Sequence, residues 1–204
     1  MSVEKISQER WDRAQSKEIY HYDHGNVDSY ETAVNIILRH FNNLDVKKDL
    51  VGKKILESGG GTYPAVFFCE GLERAVNVEP LYDKFPEEVK NRLTEAGVET
   101  ISSGFEDVDI DEEFDEVWFF NVLQHVRDPY LQIEKAKKIA NTIRLFEPIE
   151  CGTNEEHPHE FTIKFFEEQF PGVEVDRYRG GSLHKFHGAD CAYLVWSKLD
   201  EETN

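Results

Sequence analysis

Residues 53–64 read K-K-I-L-E-S-G-G-G-T-Y-P, and this stretch carries the strongest structural signal in the chain. It begins with a short apolar run that ends at Ile55 and Leu56, which is typical of a buried β-strand. The three glycines at 59–61 allow a tight turn with positive φ or a close backbone approach. Pro64 suits the first turn of a helix, since an N–H at that position would have no partner. A strand, a glycine turn and a helix start together predict a ligand site at the carboxyl edge of a parallel sheet.

Two glutamates indicate which ligand this site takes. Glu79 ends the next apolar run, about 20 residues after Gly59, where an acid can accept hydrogen bonds from both hydroxyls of a ribose. Glu57 lies at the mouth of the glycine turn, where a carboxylate repels a pyrophosphate and attracts an ammonium or a sulfonium. The nucleotide fingerprint G-x-G-x-x-G is also incomplete, because Pro64 replaces its third glycine. These features argue against NAD and FAD and favour S-adenosylmethionine (SAM), which carries a ribose and both cations.

Two motifs resemble those of class I SAM-dependent methyltransferases. E-x-G-x-G at 57–61 is similar to the first motif of that family. F-D-E-V-W-F-F-N-V-L-Q-H-V at 114–126 is similar to the family's fourth strand and the loop after it. The likeness covers residues 52–148. Tyr63 stands where the family usually has a third glycine, so its ring either crowds the methionine end of SAM or turns outward.

The resemblance implies a SAM site and assigns residues to it. Glu79 would bind the ribose, and Phe105 and Glu106 would flank the adenine. The remaining residues would surround the methionine end, and they are Glu57, Gly59, Gly61 and Asn121.

His125 is the one ionisable base that the second motif places near the reacting methyl group. An imidazole with an ordinary pKa suits the removal of a proton from a hydroxyl or an amine, so His125 is the predicted general base. The alternative is a structural role, in which the histidine only ties the loop to its neighbours. A shared fold does not imply a shared base.

Three residues are predicted to bind the acceptor. His157 and His159 follow the fifth predicted strand, where the resembling family builds its substrate loops, and Tyr20 lies between two predicted N-terminal helices. The run R-W-D-R-A-Q at 10–15 is similar to the N-terminal helix that covers the SAM cleft in some small-molecule methyltransferases. The alternative is that Thr162 caps the next helix and both histidines belong to a surface loop.

Composition limits the other possibilities. The chain has 204 residues and a formal net charge of −18, which disfavours nucleic acids and anionic membranes as partners. No apolar run approaches the roughly 20 residues that span a bilayer, so we expect a cytoplasmic protein without a membrane anchor. Cys69, Cys151 and Cys191 are widely spaced and lack a C-x-x-C pattern, so neither a metal site nor a disulfide framework is expected.

The alternation of apolar runs and helical patterns predicts an α/β fold with helices on both faces of a sheet. The resemblance implies a doubly wound, seven-stranded, mostly parallel sheet with an antiparallel hairpin at its edge. We expect one domain with an N-terminal helical segment (1–45), a cofactor-binding core (46–150) and a substrate loop with the hairpin (151–204).

The expected function is methyl transfer from SAM to an oxygen or nitrogen of a small-molecule acceptor, with S-adenosylhomocysteine (SAH) as the product. A non-catalytic SAM-binding protein, with chemistry blocked by Tyr63, is one alternative. A nucleotide-dependent oxidoreductase on a similar sheet is the other. The sequence does not predict an oligomeric state.

Overall fold

The computed structural model describes residues 3–19, 27–179 and 189–201. Within these ranges the strands are β1 (Lys54–Ser58), β2 (Arg74–Val78), β3 (Val98–Ile101), β4 (Phe114–Phe120), β5 (Ala140–Ile149), β6 (Asp176–Tyr178) and β7 (Asp190–Ser197). The helices are α1 (Gln8–Glu18), α2 (Val27–Arg39), α3 (Glu87–Glu95), α4 (Pro129–Ile139), α5 (Ile163–Gln169) and α6 (Lys198–Glu201).

The described strands form one seven-stranded sheet in the order β3-β2-β1-β4-β5-β7-β6. The first five strands run parallel to one another, and β7 is antiparallel to both β5 and β6. The strand order changes direction between β1 and β4, and loops after adjacent strands diverge at such a switch point and leave a crevice. The predicted α/β sheet with its antiparallel edge hairpin is therefore confirmed.

Two apolar cores lie on the two faces of the sheet, because successive side chains of a strand point in opposite directions. Leu56 of β1 and Val117 of β4 pack into the core that α4 and α5 cover. Ile55 and Trp118, their neighbours in sequence, pack into the core that α2 and α3 cover. This burial on both faces explains why the central strands read as continuous apolar runs.

The element after the glycine turn differs from the prediction. The expected helix after the glycine turn is a short 3₁₀ turn, Ala65–Phe68. It ends because Cys69 is extended and the N–H of Glu70 donates to the carbonyl of Val46, which turns the chain away. α5 begins after Thr162, as the capping alternative predicts, and the Thr162 hydroxyl caps it by accepting from the Phe165 N–H.

The N-terminal segment is fastened to the loops at the carboxyl edge of the sheet. The Ile6 N–H donates to the carbonyl of Arg127, in the loop after β4. The Arg10 guanidinium donates to the carbonyls of Asn154 and Glu155, each at 2.6 Å. α1 is therefore held across the loops that follow β4 and β5. Within the described ranges, every helix is too short or too polar to cross a membrane.

Candidate active site

A cleft of about 850 Å³ opens at the carboxyl ends of β1, β2 and β4, with α1 and α2 along its rim. Its size lies within the range of pockets that hold small organic ligands. Most of the residues that the sequence assigns to a cofactor lie along it: Glu57, Gly59, Gly61, Glu79, Phe105 and Asn121. His125 and His157 line it as well. One cleft thus contains the predicted cofactor site and part of the predicted acceptor site.

The glycine turn needs glycine for two separate reasons. Gly59 and Gly61 have φ of +67° and +64°, a backbone conformation that side chains disfavour. A Cβ added to Gly59 would also lie 2.1 Å from a methyl group of Val122, so the turn packs directly against the loop after β4. The Gly61 N–H donates to Oε2 of Glu79 at 3.0 Å, which joins the turn to the end of β2.

Glu57 and Glu79 are buried, and each binds backbone N–H groups. Oε2 of Glu57 accepts from Val66 at 2.9 Å, and Oε1 of Glu79 accepts from Leu81 at 2.9 Å. Burial raises the pKa of Glu79 to about 7, against the opposing effect of its two backbone hydrogen bonds. A carboxylate oxygen can accept two hydrogen bonds, so these two bonds leave each Glu79 oxygen with capacity for a ligand hydroxyl.

The two residues predicted to flank adenine have different surroundings. Phe105 is buried and lines the cleft. Glu106 instead uses its carboxylate within the protein: Oε1 accepts from the N–H groups of Arg127 and Asp128, and Oε2 accepts from the Gln132 amide at 2.8 Å. These bonds connect the loop after β3 to the start of α4. Glu106 therefore supports this wall of the cleft through Arg127, Asp128 and Gln132.

The loop after β4 is held by polar contacts at its base. Asn121 has a positive φ of 58°, and its N–H donates to the carbonyl of Phe146 in β5. Oε1 of the buried Glu147 accepts from the N–H groups of Val122 and Leu123 at 2.8 and 3.1 Å. The sequence analysis did not identify Glu147, which reads only as the last acid of an apolar strand.

His125 lies between α1 and the loop after β5. Its Nδ1 is 3.5 Å from the Glu18 carboxylate, and its ring centre is 4.6 Å from that of His157. The Gln124 amide nitrogen lies 3.3 Å from Nε2 of His125. Because an amide nitrogen can only donate, Nε2 is the acceptor and Nδ1 carries the proton. Burial lowers the pKa of His125 to about 4, although Glu156 opposes the shift. The ring is therefore neutral at pH 7. Its pKa lies well below the ordinary value on which the prediction of a general base relied.

The three predicted acceptor-binding residues do not all lie in the cleft. His157 lines it, and its backbone N–H donates to the side chain of Asn154. His159 is buried away from it, with Nε2 at 2.8 Å from the carbonyl of Val126. That contact fastens the loop after β5 to the loop after β4. Tyr20 lies outside the described residues.

One face of α1 lines the cleft, and the sequence analysis used only part of it. Trp11, Gln15 and Glu18 are spaced four and three residues apart, which places them on the same side of a helix. Trp11 was recognised as part of a covering helix, whereas Glu18 was missed. Its spacing from Trp11 was the signal that could have found it.

Tyr63 is packed rather than free. The centre of its ring is 3.8 Å from Cζ of the Arg92 guanidinium. The same ring centre is 4.6 Å from the ring centre of Tyr30. Arg92 also donates to the carbonyl of Thr62 at 2.8 Å. These contacts hold the ring against α3 at one wall of the cleft.

Several solved structures that are similar to this chain are methyltransferases. The 1,6-didemethyltoxoflavin N1-methyltransferase of Burkholderia thailandensis, with 1,6-didemethyltoxoflavin and SAH bound, is 14% identical with a TM-score of 0.63, and the match covers 96% of this chain and 92% of that one. The N-methyltransferase NodS of Bradyrhizobium japonicum, with SAH, is 12% identical with a TM-score of 0.60 over 93% and 96% of the two chains. The magnesium protoporphyrin IX methyltransferase of Synechocystis, with SAM, is 14% identical with a TM-score of 0.58 over 92% and 88%.

These likenesses, together with the strand order, show that the chain has the class I SAM-dependent methyltransferase fold. The resemblance seen in the two sequence motifs is confirmed at the level of the fold. No family model matches the sequence, and no curated protein does either.

Proposed function

We propose that this protein is a SAM-dependent methyltransferase that acts on a small-molecule acceptor. The observation that carries the proposal is the glycine turn bound to Glu79. Gly59 packs on the loop after β4, and Glu79 accepts from Gly61 while it keeps capacity for further hydrogen bonds. This arrangement suits a ribose beside a cationic methionine, which is what SAM presents.

The other residues of the cleft fit the same cofactor. Glu57 supplies a buried carboxylate at the turn, which favours an ammonium and a sulfonium over a pyrophosphate. Phe105 offers an apolar surface for the adenine, with Glu106 fixing the loop beneath it. When bound, SAM supplies a methyl group activated by the positive sulfur. The neighbours described above were solved with SAM or SAH, and one contains a small aromatic acceptor.

The protein's contribution would be to orient the acceptor, exclude water and accept a proton. α1 covers the cleft with Trp11, which limits water access. Nε2 of His125 carries the ring lone pair, which accepts from the Gln124 amide at 3.3 Å, and it would take up a proton when the acceptor displaces that amide. Holding the acceptor in line with the methyl group accounts for most of the expected rate gain.

The non-catalytic alternative retains one supporting observation, because the ring of Tyr63 still lines the cleft. The oxidoreductase alternative is disfavoured by the buried carboxylate of Glu57 beside the glycine turn. The two alternatives predict different results: the non-catalytic protein would bind SAM without turnover, whereas the oxidoreductase would bind NAD.

The test is the formation of SAH from SAM by the purified protein with a mixed pool of small alcohols, phenols and amines. We expect SAH to appear only when the pool is present, and the His125→Ala variant to be slower by about 10²–10⁴-fold with SAM affinity retained. SAM binding without turnover on any pool would support the non-catalytic alternative instead.

A further inference from the structure

Glu147 is a buried acid near the carboxyl end of β5, and it binds the loop after β4. Its Oε1 accepts from the N–H groups of Val122 and Leu123 at 2.8 and 3.1 Å. Within the described part of the chain, Oε2 is also buried and has no hydrogen-bond partner. A buried polar atom without a partner costs stability, which indicates that the acid is present for the loop it holds.

One side of this loop contacts the cofactor end of the cleft. A Cβ added to Gly59 would lie 2.1 Å from Cγ2 of Val122, so Val122 packs directly on the glycine turn. Close packing of this kind leaves neither residue room to shift without the other. Glu147 holds the N–H of Val122, and it therefore sets how far the loop approaches the turn.

The other side of the same loop carries His125. Leu123–His125 form a single 3₁₀ turn, in which the His125 N–H donates to the carbonyl of Val122 at 2.9 Å. The turn begins at Leu123, whose N–H Glu147 also binds. A turn this short moves as a unit, so a displacement at its start would be passed on to the ring of His125.

The backbone that leads into the loop is strained. Asn121 has a φ of +58°, which a side chain disfavours, and such a conformation persists only where its surroundings hold it. Two consecutive residues of β5 provide that support. The carbonyl of Phe146 accepts from the Asn121 N–H, and Glu147 binds the next two N–H groups.

We propose that Glu147 is a positioning residue for methyl transfer, which sets the distance between the glycine turn that would hold SAM and the ring of His125. This role rests on the proposed function, because the distance matters to catalysis only if SAM and His125 take part in one reaction. Glu147 acts through the position of Oε1, and its own proton and charge do not enter the reaction. A misplacement of about 1 Å can lower the rate of an enzyme by ~10²-fold.

Two conservative variants separate position from charge. Burial raises the pKa of Glu147 to about 8, against the opposing effect of its two backbone hydrogen bonds, so the side chain is mostly neutral at pH 7. Glu147→Gln is neutral as well and keeps an acceptor oxygen at the same length of side chain. Glu147→Asp keeps the acid but shortens the side chain by one methylene, so the loop must move toward β5 or lose its acceptor.

Glu116 provides the matched control in the neighbouring strand. It is also a buried glutamate, but it lies near the amino end of β4, where it binds Arg144 at 2.6 Å and Lys53 at 2.9 Å. Glu116→Asp shortens a buried acid in the same way at the edge of the sheet opposite the cleft. We expect this variant to lower Tm and to leave the rate of SAH formation unchanged.

The test measures SAH formation with the acceptor pool at pH 7, beside Tm and the apparent KM for SAM. We expect Glu147→Asp to lower the rate at saturating SAM by ~10²-fold while KM for SAM changes little, and Glu147→Gln to keep a rate close to that of the wild type. NMR of the SAH-loaded, ¹⁵N-labelled protein adds a measurement that needs no turnover. The amide signals of Gly59 and His125 should shift together in Glu147→Asp and stay in place in Glu147→Gln and Glu116→Asp.

A folded Glu147→Asp variant with the wild-type rate and unshifted signals would overturn the positioning role. A folded Glu147→Gln variant as slow as Glu147→Asp would overturn it too, since ionisation and not position would then matter, and this comparison stands even if Glu147→Asp does not fold. An increase in KM for SAM without a loss of rate would reduce Glu147 to a stabilising residue. Failure of the folded wild-type protein to bind SAH would overturn the proposed function, whereas SAH binding with Gly59 and His125 signals that shift independently would overturn the role of Glu147 alone.

Discussion

If Glu79 binds the ribose of SAM, its raised pKa should make SAM binding depend on pH. Burial raises its pKa to about 7, and Glu18 adds to the shift, while the N–H groups of Gly61 and Leu81 oppose it. A ribose needs the ionised carboxylate as an acceptor, so SAM would bind the ionised form and lower this pKa. We therefore expect affinity to be constant above pH 8 and to fall by up to about tenfold per pH unit below pH 7.

Calorimetric titration of SAM between pH 5.5 and 8.5 measures this dependence. At high pH the Glu79→Gln variant should bind SAM more weakly than the wild type does. Near pH 7 its SAM affinity should no longer change with pH. A wild-type affinity that stays constant down to pH 5.5 would contradict the assignment of Glu79 to the ribose.

His125 should remain neutral across the physiological range. Burial lowers the pKa of this ring to about 4, and Glu156 limits the shift while His159 adds to it. An imidazole with this pKa is available to accept a proton throughout pH 5–8, although it is a weaker base than an exposed one. NMR of the labelled imidazole against pH should show its titration midpoint near 4. A midpoint near 6.5 would mean that the ring is solvated and that Glu18 pairs with an imidazolium.

Arg10 joins two elements that form the roof of the cleft. Its guanidinium donates to the carbonyls of Asn154 and Glu155, so α1 and the loop after β5 move as one body. Hydrogen bonds to a charged group contribute about 1.5–3 kcal/mol. We expect Arg10→Ala to raise hydrogen exchange in α1 and in residues 154–157 and to weaken SAM binding, while the exchange of β4 and β5 stays slow.

Arg13→Ala is the matched control on the same helix. Arg13 contacts the side chains of Glu9 and Glu155 at the exposed surface, where an ion pair contributes little. Exchange in α1 should therefore change much less than in Arg10→Ala. Equal effects of the two variants would show that general surface charge, and not the bonds to the loop carbonyls, holds the helix.

The elements differ in how far their sequences predict them. The strand before the glycine turn could be predicted because burial on both faces requires an apolar run. The start of α5 could be predicted because Thr162 is a local cap. The segment after the glycine turn could not, because its end depends on the bond from Glu70 to Val46, which is distant in sequence.

The residues of the cleft also differ in how far the sequence predicts them. The glycines and Glu79 could be predicted, because a local motif places them at the ends of adjacent strands. Glu18 was missed because the helical spacing that places it on the same face as Trp11 does not show that this face of α1 packs over the cleft. His159 was assigned to the acceptor because the sequence does not reveal that Val126 binds its ring. The surroundings of such side chains depend on long-range packing, which a local sequence pattern does not specify.

The net charge of −18 should make the stability of the whole molecule depend on salt. Repulsion among the excess carboxylates opposes the compact state, and added ions screen it. We expect Tm to rise by several degrees between ~0.05 M and ~0.5 M sodium chloride, since about 1 kcal/mol shifts Tm by ~2–4 °C in a domain of this size. Scanning calorimetry measures this, with sucrose as the uncharged control. A fall in Tm would show that favourable ion pairs outweigh the repulsion.

Calorimetric titration of SAM, SAH and NAD into the purified wild-type protein, with Glu79→Ala beside it, addresses the proposed cofactor. We predict that SAM and SAH bind, that NAD does not, and that the variant loses at least about tenfold in SAM affinity because two backbone N–H groups and a ribose lose their acceptor. Folded wild-type protein that binds no SAM, or that binds NAD in its place, would contradict the assignment of this cleft to a methyltransferase.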